Sequence, residues 1–216
     1  MGFFSSLLDL LFPPKCVFCG RIQHSKDDLW CDKCTETLPF TLSGGKQEGV
    51  YYEYCLSPLY YKGMVRRSML RYKFAGASGY AETYGKILAD CIREQPELRY
   101  DLISWVPLSS KRKRSRGYDQ AMLLALATAL NLQDVAVETL VKSRDVQAQS
   151  ELGGVEERRD NISGAYEAAD PELFRGKCIL LIDDIVTTGS TLNECANILI
   201  NAGADKVYCA SLARGA

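Results

Sequence analysis

Two adjacent acids, Asp183 and Asp184, stand between an apolar run and a loop of hydroxyls made by Thr187, Thr188, Gly189, Ser190 and Thr191. Paired carboxylates can accept hydrogen bonds from the hydroxyls of a sugar, or hold a hard cation such as Mg2+. Small hydroxyl residues around one glycine suit a phosphate, because the side chains add donors and glycine lets the backbone turn sharply towards the ligand. The elements that must position these groups are legible on either side. Ile179 to Ile182 reads as a strand buried on both faces, and Leu192, Ala196, Leu199 and Ile200 recur at helical spacing after the loop. A strand that empties through such a loop into a helix brings free backbone N–H groups and the positive end of the helix dipole together on an anion. An ordinary strand–turn–helix with Thr and Ser as N-caps would account for the hydroxyls but not for the paired acids.

The whole segment, Cys178 to Leu192, resembles the phosphoribosyl-pyrophosphate (PRPP) signature of the type I phosphoribosyltransferases: four apolar residues, two acids, two apolar residues, then Thr-Thr-Gly-Ser-Thr. A second cluster lies upstream. Five basic residues fall within the six positions Lys111 to Arg116, in a loop that leaves an apolar strand at Val106-Pro107 and enters a helix. In an open parallel sheet such a loop lies on the ligand side, where Lys111, Arg112 and Arg116 would suit the pyrophosphate end of the ligand. A solvated charge run and a patch for the phosphate backbone of DNA or RNA are the rival readings. The long polar segment from Arg144 to Asn161, with Gly153-Gly154 at its centre, suits a mobile lid over an activated sugar.

Cysteine chemistry concentrates near the N-terminus. Cys16 and Cys19 form one knuckle and Cys31 and Cys34 another, eleven residues apart, so that four thiolates can meet one tetrahedral ion. Structural zinc is the expected occupant. Disulfides are disfavoured because nothing marks the chain as secreted and the total of nine cysteines is odd. His24, the only histidine, lies between the knuckles and is expected to be an exposed loop residue; Cys55, Cys91, Cys178, Cys195 and Cys209 read as small core residues.

The 216 residues leave room for a medium domain and a small one, and 26 basic against 27 acidic residues give no global excess for nucleic acid. Phe3, Phe4, Leu7, Leu8 and Leu11 fall on one helical face that Pro13-Pro14 ends; Asp9 interrupts it and no positive n-region precedes it, so it makes a poor signal peptide. Gly2 with Ser6 fits the myristoylation pattern formally, but an amphipathic helix docked on the protein is the better reading. With no run long enough to cross a bilayer, a cytoplasmic location is expected.

A linker at Ser43 to Gly49 divides an N-terminal module, residues 1–45, from a main domain, residues 50–216. Downstream, strand and helix patterns alternate, which predicts an α/β fold with a parallel sheet flanked by helices. Tyr51 to Tyr61 reads as a strand pair, Gly63 to Phe74 as a basic amphipathic helix with Arg66, Arg67, Arg71 and Lys73, and Tyr80 to Arg93 as a helix. Leu102 to Val106 and Val135 to Val141 read as strands, Asp119 to Leu130 as a helix, and Val207 to Leu212 as the strand that closes the sheet. Other enzyme classes fit badly. There is no Gly-x-Ser-x-Gly elbow, and the single histidine excludes a Ser–His or Cys–His nucleophile in the main domain. Gly79 to Lys86 resembles a nucleotide P-loop, but its glycines are misspaced and Ile87 replaces the needed Ser or Thr, so a helix is expected there.

Together these parts resemble the ComF family of bacterial competence proteins, a small zinc ribbon ahead of a type I phosphoribosyltransferase domain. The resemblance runs through the four cysteines, Tyr60 to Gly63, Lys73-Phe74, Val106 to Leu108 and Arg116 to Gln120. It continues through Gln149, Leu152, Arg158, Asn161 and Gly164 to Tyr166 to the PRPP signature. Gly117-Tyr118-Asp119-Gln120 departs mildly from the usual Gly-Phe-Asn-Gln, and the spacing from Leu152 to Arg158 is one residue longer than the family's. The resemblance implies that Asp183 and Asp184 face the ribose hydroxyls and Mg2+ as the catalytic pair, while Thr187 to Thr191 hold the 5′-phosphate. It further implies transfer of phosphoribose to an unidentified acceptor, and a role in DNA uptake with a DNA-translocating helicase as partner. A binding module that engages single-stranded DNA or a protein on the same fold is the alternative.

Overall fold

The computed structural model of the chain describes residues 13–23, 30–143 and 164–215. The N-terminal amphipathic segment, His24 and the expected lid from Arg144 to Asn161 lie outside these residues. The helices are α1 (Asp32–Thr37), α2 (Gly63–Phe74), α3 (Tyr80–Arg93), α4 (Ser110–Arg116), α5 (Gln120–Leu132) and α6 (Ser190–Asn201). The strands are β1 (Cys55–Leu56), β2 (Leu59–Tyr60), β3 (Leu102–Trp105), β4 (Leu140–Lys142), β5 (Tyr166–Ala168), β6 (Cys178–Val186) and β7 (Lys206–Arg214).

The main sheet is parallel and runs β1–β7–β6–β3, with β2 also on β7. Period-two alternation along β6 divides the core. Ile179 and Leu181 pack on one face with Leu192, Cys195 and Leu199 of α6. Leu180 and Ile182 pack on the other with Tyr84 and Leu88 of α3 and Leu124 of α5. The α3–α5 crossing explains the false P-loop: a Cβ on Gly85 would lie 2.6 Å from the backbone of Ala127, so the glycine permits close helix packing.

Several expectations are corrected by tertiary pairing. The predicted strand pair at Tyr51 to Tyr61 is instead two short pieces of one edge, each parallel to β7, at Cys55↔Cys209 and Leu59↔Ala213. They are separated at Pro58, which has no N–H to donate. The strand expected from Val135 to Val141 divides: Ala136 bridges Ile103 on the main sheet, and β4 then leaves to pair antiparallel with β5. The basic loop after Pro107 contains a helical turn, α4, because Ser109 accepts from the N–H of Arg112 and Gly117, at φ +84°, ends it. The stretch with linker composition is packed: Leu42–Gly45 forms a 3-10 turn, and a Cβ on Gly45 would come within 2.6 Å of the Ser57 carbonyl oxygen.

The cysteine module docks on α2 and α3. Phe18 is fully buried, with Trp30 and Tyr84 each 6.1 Å away between ring centroids. Arg71 donates from Nη2 to the carbonyls of Val17 (2.8 Å) and Phe18 (2.9 Å), and Ser68 donates to Val17 as well. The basic helix therefore splits its charges. Arg66 and Arg67 are exposed, Arg71 clamps the knuckle, and Lys73 turns the other way, into the sheet's carboxyl end.

Candidate functional site

Both acids lie within β6, which continues to Val186, rather than after it: Asp183 is in register with Ser211 and Ile185 with Ala213. Successive residues of a strand point to opposite faces, so the two carboxylates have different surroundings. On the α2 side, Asp184 is buried and its Oδ2 accepts from Lys73 Nζ at 2.8 Å. On the α6 side, Asp183 Oδ1 accepts from the N–H of Asp184 at 2.7 Å, and burial together with the charge of Asp184 pushes its carboxyl up to about 7.

The hydroxyl loop follows. Thr187 and Thr188 are exposed, and Thr188 Oγ1 lies 2.8 Å from Ser190 Oγ. Gly189, at φ +76°, is the residue before α6 and brings no side-chain cap. The first-turn N–H groups of Ser190, Thr191 and Leu192 thus point out of the helix end, with only the long 3.4 Å contact from Thr188 Oγ1 to Ser190 N–H. Two contacts brace the loop from behind. Asn193 Oδ1 accepts from Val50 and Tyr51 (2.7 and 3.1 Å), and the buried hydroxyl of Tyr52 stands 2.6 Å from where a Cβ on Gly189 would lie.

The basic residues are sorted by packing. Arg116 stacks on Phe74 at 4.8 Å, donates to Gln120 Oε1 at 2.8 Å and lies within electrostatic reach of Asp184; its burial lowers its affinity for a proton. Arg112 is exposed but close enough to Lys142 that, after burial, its charge is the largest influence holding Lys142 down. Lys111 stays exposed and makes no hydrogen bond or ion pair among the described residues. Asp119 proves structural: Oδ1 accepts from Met122 at the start of α5, and Oδ2 accepts from the N–H of Leu108 at 2.7 Å, tying the basic turn to its strand.

Sequence reasoning missed Lys73 and Lys142 as site residues. Lys73 reads as a last-turn cation favoured by the helix dipole. Lys142 ends a short strand, where its Nζ donates to the Tyr166 hydroxyl at 2.9 Å near Asp183 and Glu194. Lys73 belongs to the Lys73-Phe74 stretch that carries the family resemblance, but no local pattern gives either lysine its partner, because both partners are distant in the chain.

The cysteines converge as their spacing predicts. All four Sγ atoms of Cys16, Cys19, Cys31 and Cys34 lie within 4.8 Å of one another, with Cys16–Cys34 at 3.7 Å and Cys19–Cys31 at 3.5 Å. The edge of a tetrahedron with metal–sulfur bonds of about 2.3 Å is about 3.8 Å, so the donor set fits zinc. Burial alone would raise Cys16, but the backbone N–H groups of Cys19, Cys31 and Phe18 hold it at about 7. Burial and the neighbouring sulfurs push Cys34 far up. No helix among the described residues is long and apolar enough to cross a membrane.

Comparison with known proteins agrees with this geometry. The phosphoribosyl transferase domain family matches residues 120–216, and the double zinc ribbon domain family matches residues 7–45. The chain is 26% identical over 222 residues to Competence protein F of Haemophilus influenzae, covering 93% of this chain and 96% of that protein. It is 28% identical over 218 residues to Competence protein ComFC of Streptococcus pneumoniae, covering 98% and 93%. A shorter match, 34% over 116 residues, joins 53% of this chain to 49% of the DNA utilization protein YhgH of Escherichia coli.

Proposed function

The chain belongs to the ComF family of competence proteins, a phosphoribosyltransferase-like domain behind a zinc ribbon, and on that premise we propose that it binds PRPP or a related phosphorylated ribose at the carboxyl end of β6. One observation carries the reading: Asp183 and the buried Asp184, which is ion-paired to Lys73, are followed within the same chain segment by a helix N-terminus with no side-chain cap and a ring of hydroxyls. The 5′-phosphate is held by the N–H groups of Ser190, Thr191 and Leu192 and by the hydroxyls of Thr187, Thr188, Ser190 and Thr191. Asp183 and Asp184 accept hydrogen bonds from the ribose hydroxyls. Arg116, Arg112 and Lys142 draw the pyrophosphate end, with Lys111 available from the exposed side of α4.

In the transfer reaction the family name implies, pyrophosphate leaves the anomeric carbon through an oxocarbenium-like state, and the protein contributes position and charge rather than a covalent nucleophile. The residues do not form a Mg2+ site of their own. Asp183 Oδ1 already accepts from a backbone N–H and Asp184 Oδ2 from Lys73, so neither acid presents both oxygens to an ion. Zinc, by contrast, has a complete tetrathiolate donor set and would fasten the ribbon as a structural ion.

Calorimetry with PRPP on the wild type and on Asp183→Asn/Asp184→Asn tests the binding; equal affinity in the double variant would sink it. Release of pyrophosphate on supply of candidate acceptor bases tests transfer.

A second reading has its own support. Lys113 and Arg114 of α4 and Arg66 and Arg67 of α2 stay exposed and away from the acids, leaving cations to spare for single-stranded DNA or a helicase partner in DNA uptake. DNA binding through them should fall steeply with salt and drop when Lys111 to Arg114 are neutralised.

A further inference from the structure

Mg2+ usually needs near-octahedral oxygen coordination, with one or two carboxylates and the remainder from water or ligand phosphates. Here the carboxylate pair already has a cation. Lys73 Nζ is 2.8 Å from Asp184 Oδ2, and the two side chains are only 17% and 13% exposed. An exposed lysine would be a weak partner because its long stem is free to wander. This one is not. Its helix is pinned one residue earlier, where the buried Tyr72 hydroxyl donates to the Gln120 carbonyl at 2.8 Å and Tyr118 donates back to the Tyr72 carbonyl. Two residues earlier, Arg71 is locked onto the knuckle carbonyls. Arg116 is within electrostatic reach of Asp184, and Lys142 is within reach of both Asp183 and Arg112. Asp119 beside Arg116 and Glu194 beside Lys142 offset part of this charge, so it is the close Lys73–Asp184 pair, rather than a net excess of cations, that leaves little room for a free divalent ion.

We propose that Lys73 is the built-in cation of the acid pair: it fixes Asp184 for ribose recognition, and the sugar-phosphate subsite therefore forms without Mg2+. The proposal rests on the phosphoribosyl reading above and specifies how that site is charged. Lys73 is a positioning residue in this scheme, acting through Asp184. Its consequence is selective. A ligand with a 5-phosphate and free ribose hydroxyls needs no metal, whereas any Mg2+ that accompanies PRPP arrives on the ligand's own pyrophosphate.

Two measurements test this, each on the full chain as wild type, Lys73→Met and Lys73→Arg. In the first, the backbone amide resonances of Asp183 and Asp184 are followed while Mg2+ is added with no sugar present. The wild type and Lys73→Arg should stay unmoved to millimolar Mg2+, and Lys73→Met should shift and saturate; the dispersed amide spectrum shows at once that each variant is folded. In the second, ribose 5-phosphate is titrated calorimetrically in chelator and in Mg2+. Wild-type affinity should differ less than about twofold between the two buffers, while Lys73→Met should lose about tenfold in chelator and regain it in Mg2+. Saturating Mg2+ shifts in the wild type, or undiminished binding by Lys73→Met in chelator, would overturn the proposal. Absence of ribose 5-phosphate binding by the wild type in both buffers would overturn the phosphoribosyl reading instead, and the Mg2+ titration would still decide the role of Lys73.

Discussion

Arg71→Met should loosen the whole N-terminal module although the residue touches neither the thiols nor the acids. The side chain donates charge-assisted hydrogen bonds to the carbonyls of Val17 and Phe18, on either side of a buried Phe18 that joins the knuckle to Tyr84 of α3, and a longer one from Nε to the Tyr80 hydroxyl at 3.3 Å. Methionine preserves most of the apolar stem and removes every donor, the two bonds to the knuckle carbonyls being the ones that hold the module. Each lost bond to a charged group is worth about 1.5–3 kcal/mol, and partial exposure lets water recover some of it, which leaves a loss of about 3 kcal/mol for the pair. At this chain length that corresponds to a Tm lower by roughly 6–12 °C. If about half of the loss falls on local opening of the knuckle, metal should leave roughly tenfold faster. Thermal unfolding and the rate of zinc capture by a chromogenic chelator measure the two effects. Arg67→Met, an exposed neighbour on the same helix, is the control and should stay within about 0.5 kcal/mol of wild type. If the two variants unfold and release metal alike, the clamp is not what holds the ribbon to the sheet.

The pH dependence of stability should carry a mark of Asp183. Its carboxyl is raised from 3.8 to about 7 in the folded chain, so it favours folding while protonated and that contribution disappears as pH climbs through about 7. Unfolding free energies from urea titrations should therefore fall between those values by up to about 1.4 kcal/mol per pH unit, and Asp183→Asn should flatten the slope and be the more stable form above it; parallel curves would refute the assignment. Gly189→Ala must place a Cβ at φ +76° and 2.6 Å from the Tyr52 hydroxyl, so it should cost about 2 kcal/mol and weaken sugar-phosphate binding tenfold or more. Tyr52→Phe on that background should restore part of the stability, and a strictly additive double variant would show that the two groups do not meet. Protein purified without added metal should contain about one zinc per chain, and a strong chelator should lower the Tm of the wild type while leaving that of a Cys34→Ser variant nearly unchanged; equal shifts would count against a tetrathiolate site.

Much of this molecule is written in local pattern. The helices Gly63–Phe74 and Tyr80–Arg93 fall where periodicity puts them, because each needs only one apolar face with turn or breaker residues at its ends. The four cysteines announce their convergence because two paired knuckles reach one ion whatever the intervening chain does. The signature loop is equally local: strand, hydroxyls, glycine and helix follow one another within Cys178 to Leu192. What depends on distant partners was not legible. Nothing in Tyr51 to Tyr61 says that its two short pieces will pair with β7 rather than with each other, since strand pairing is settled by the neighbour that completes the ladder. The linker composition at Ser43 to Gly49 conceals glycines needed for close packing. The charges make the clearest case. Sequence presents Arg66, Arg67, Arg71 and Lys73 as one basic face and Lys111 to Arg116 as one basic run. Packing sends Arg71 to a knuckle, Lys73 to Asp184 and Arg116 to Phe74, and leaves the others in water. A side chain's type fixes what it can bind, but only the fold brings a long, flexible cation within 2.8 Å of a carboxylate buried on another element.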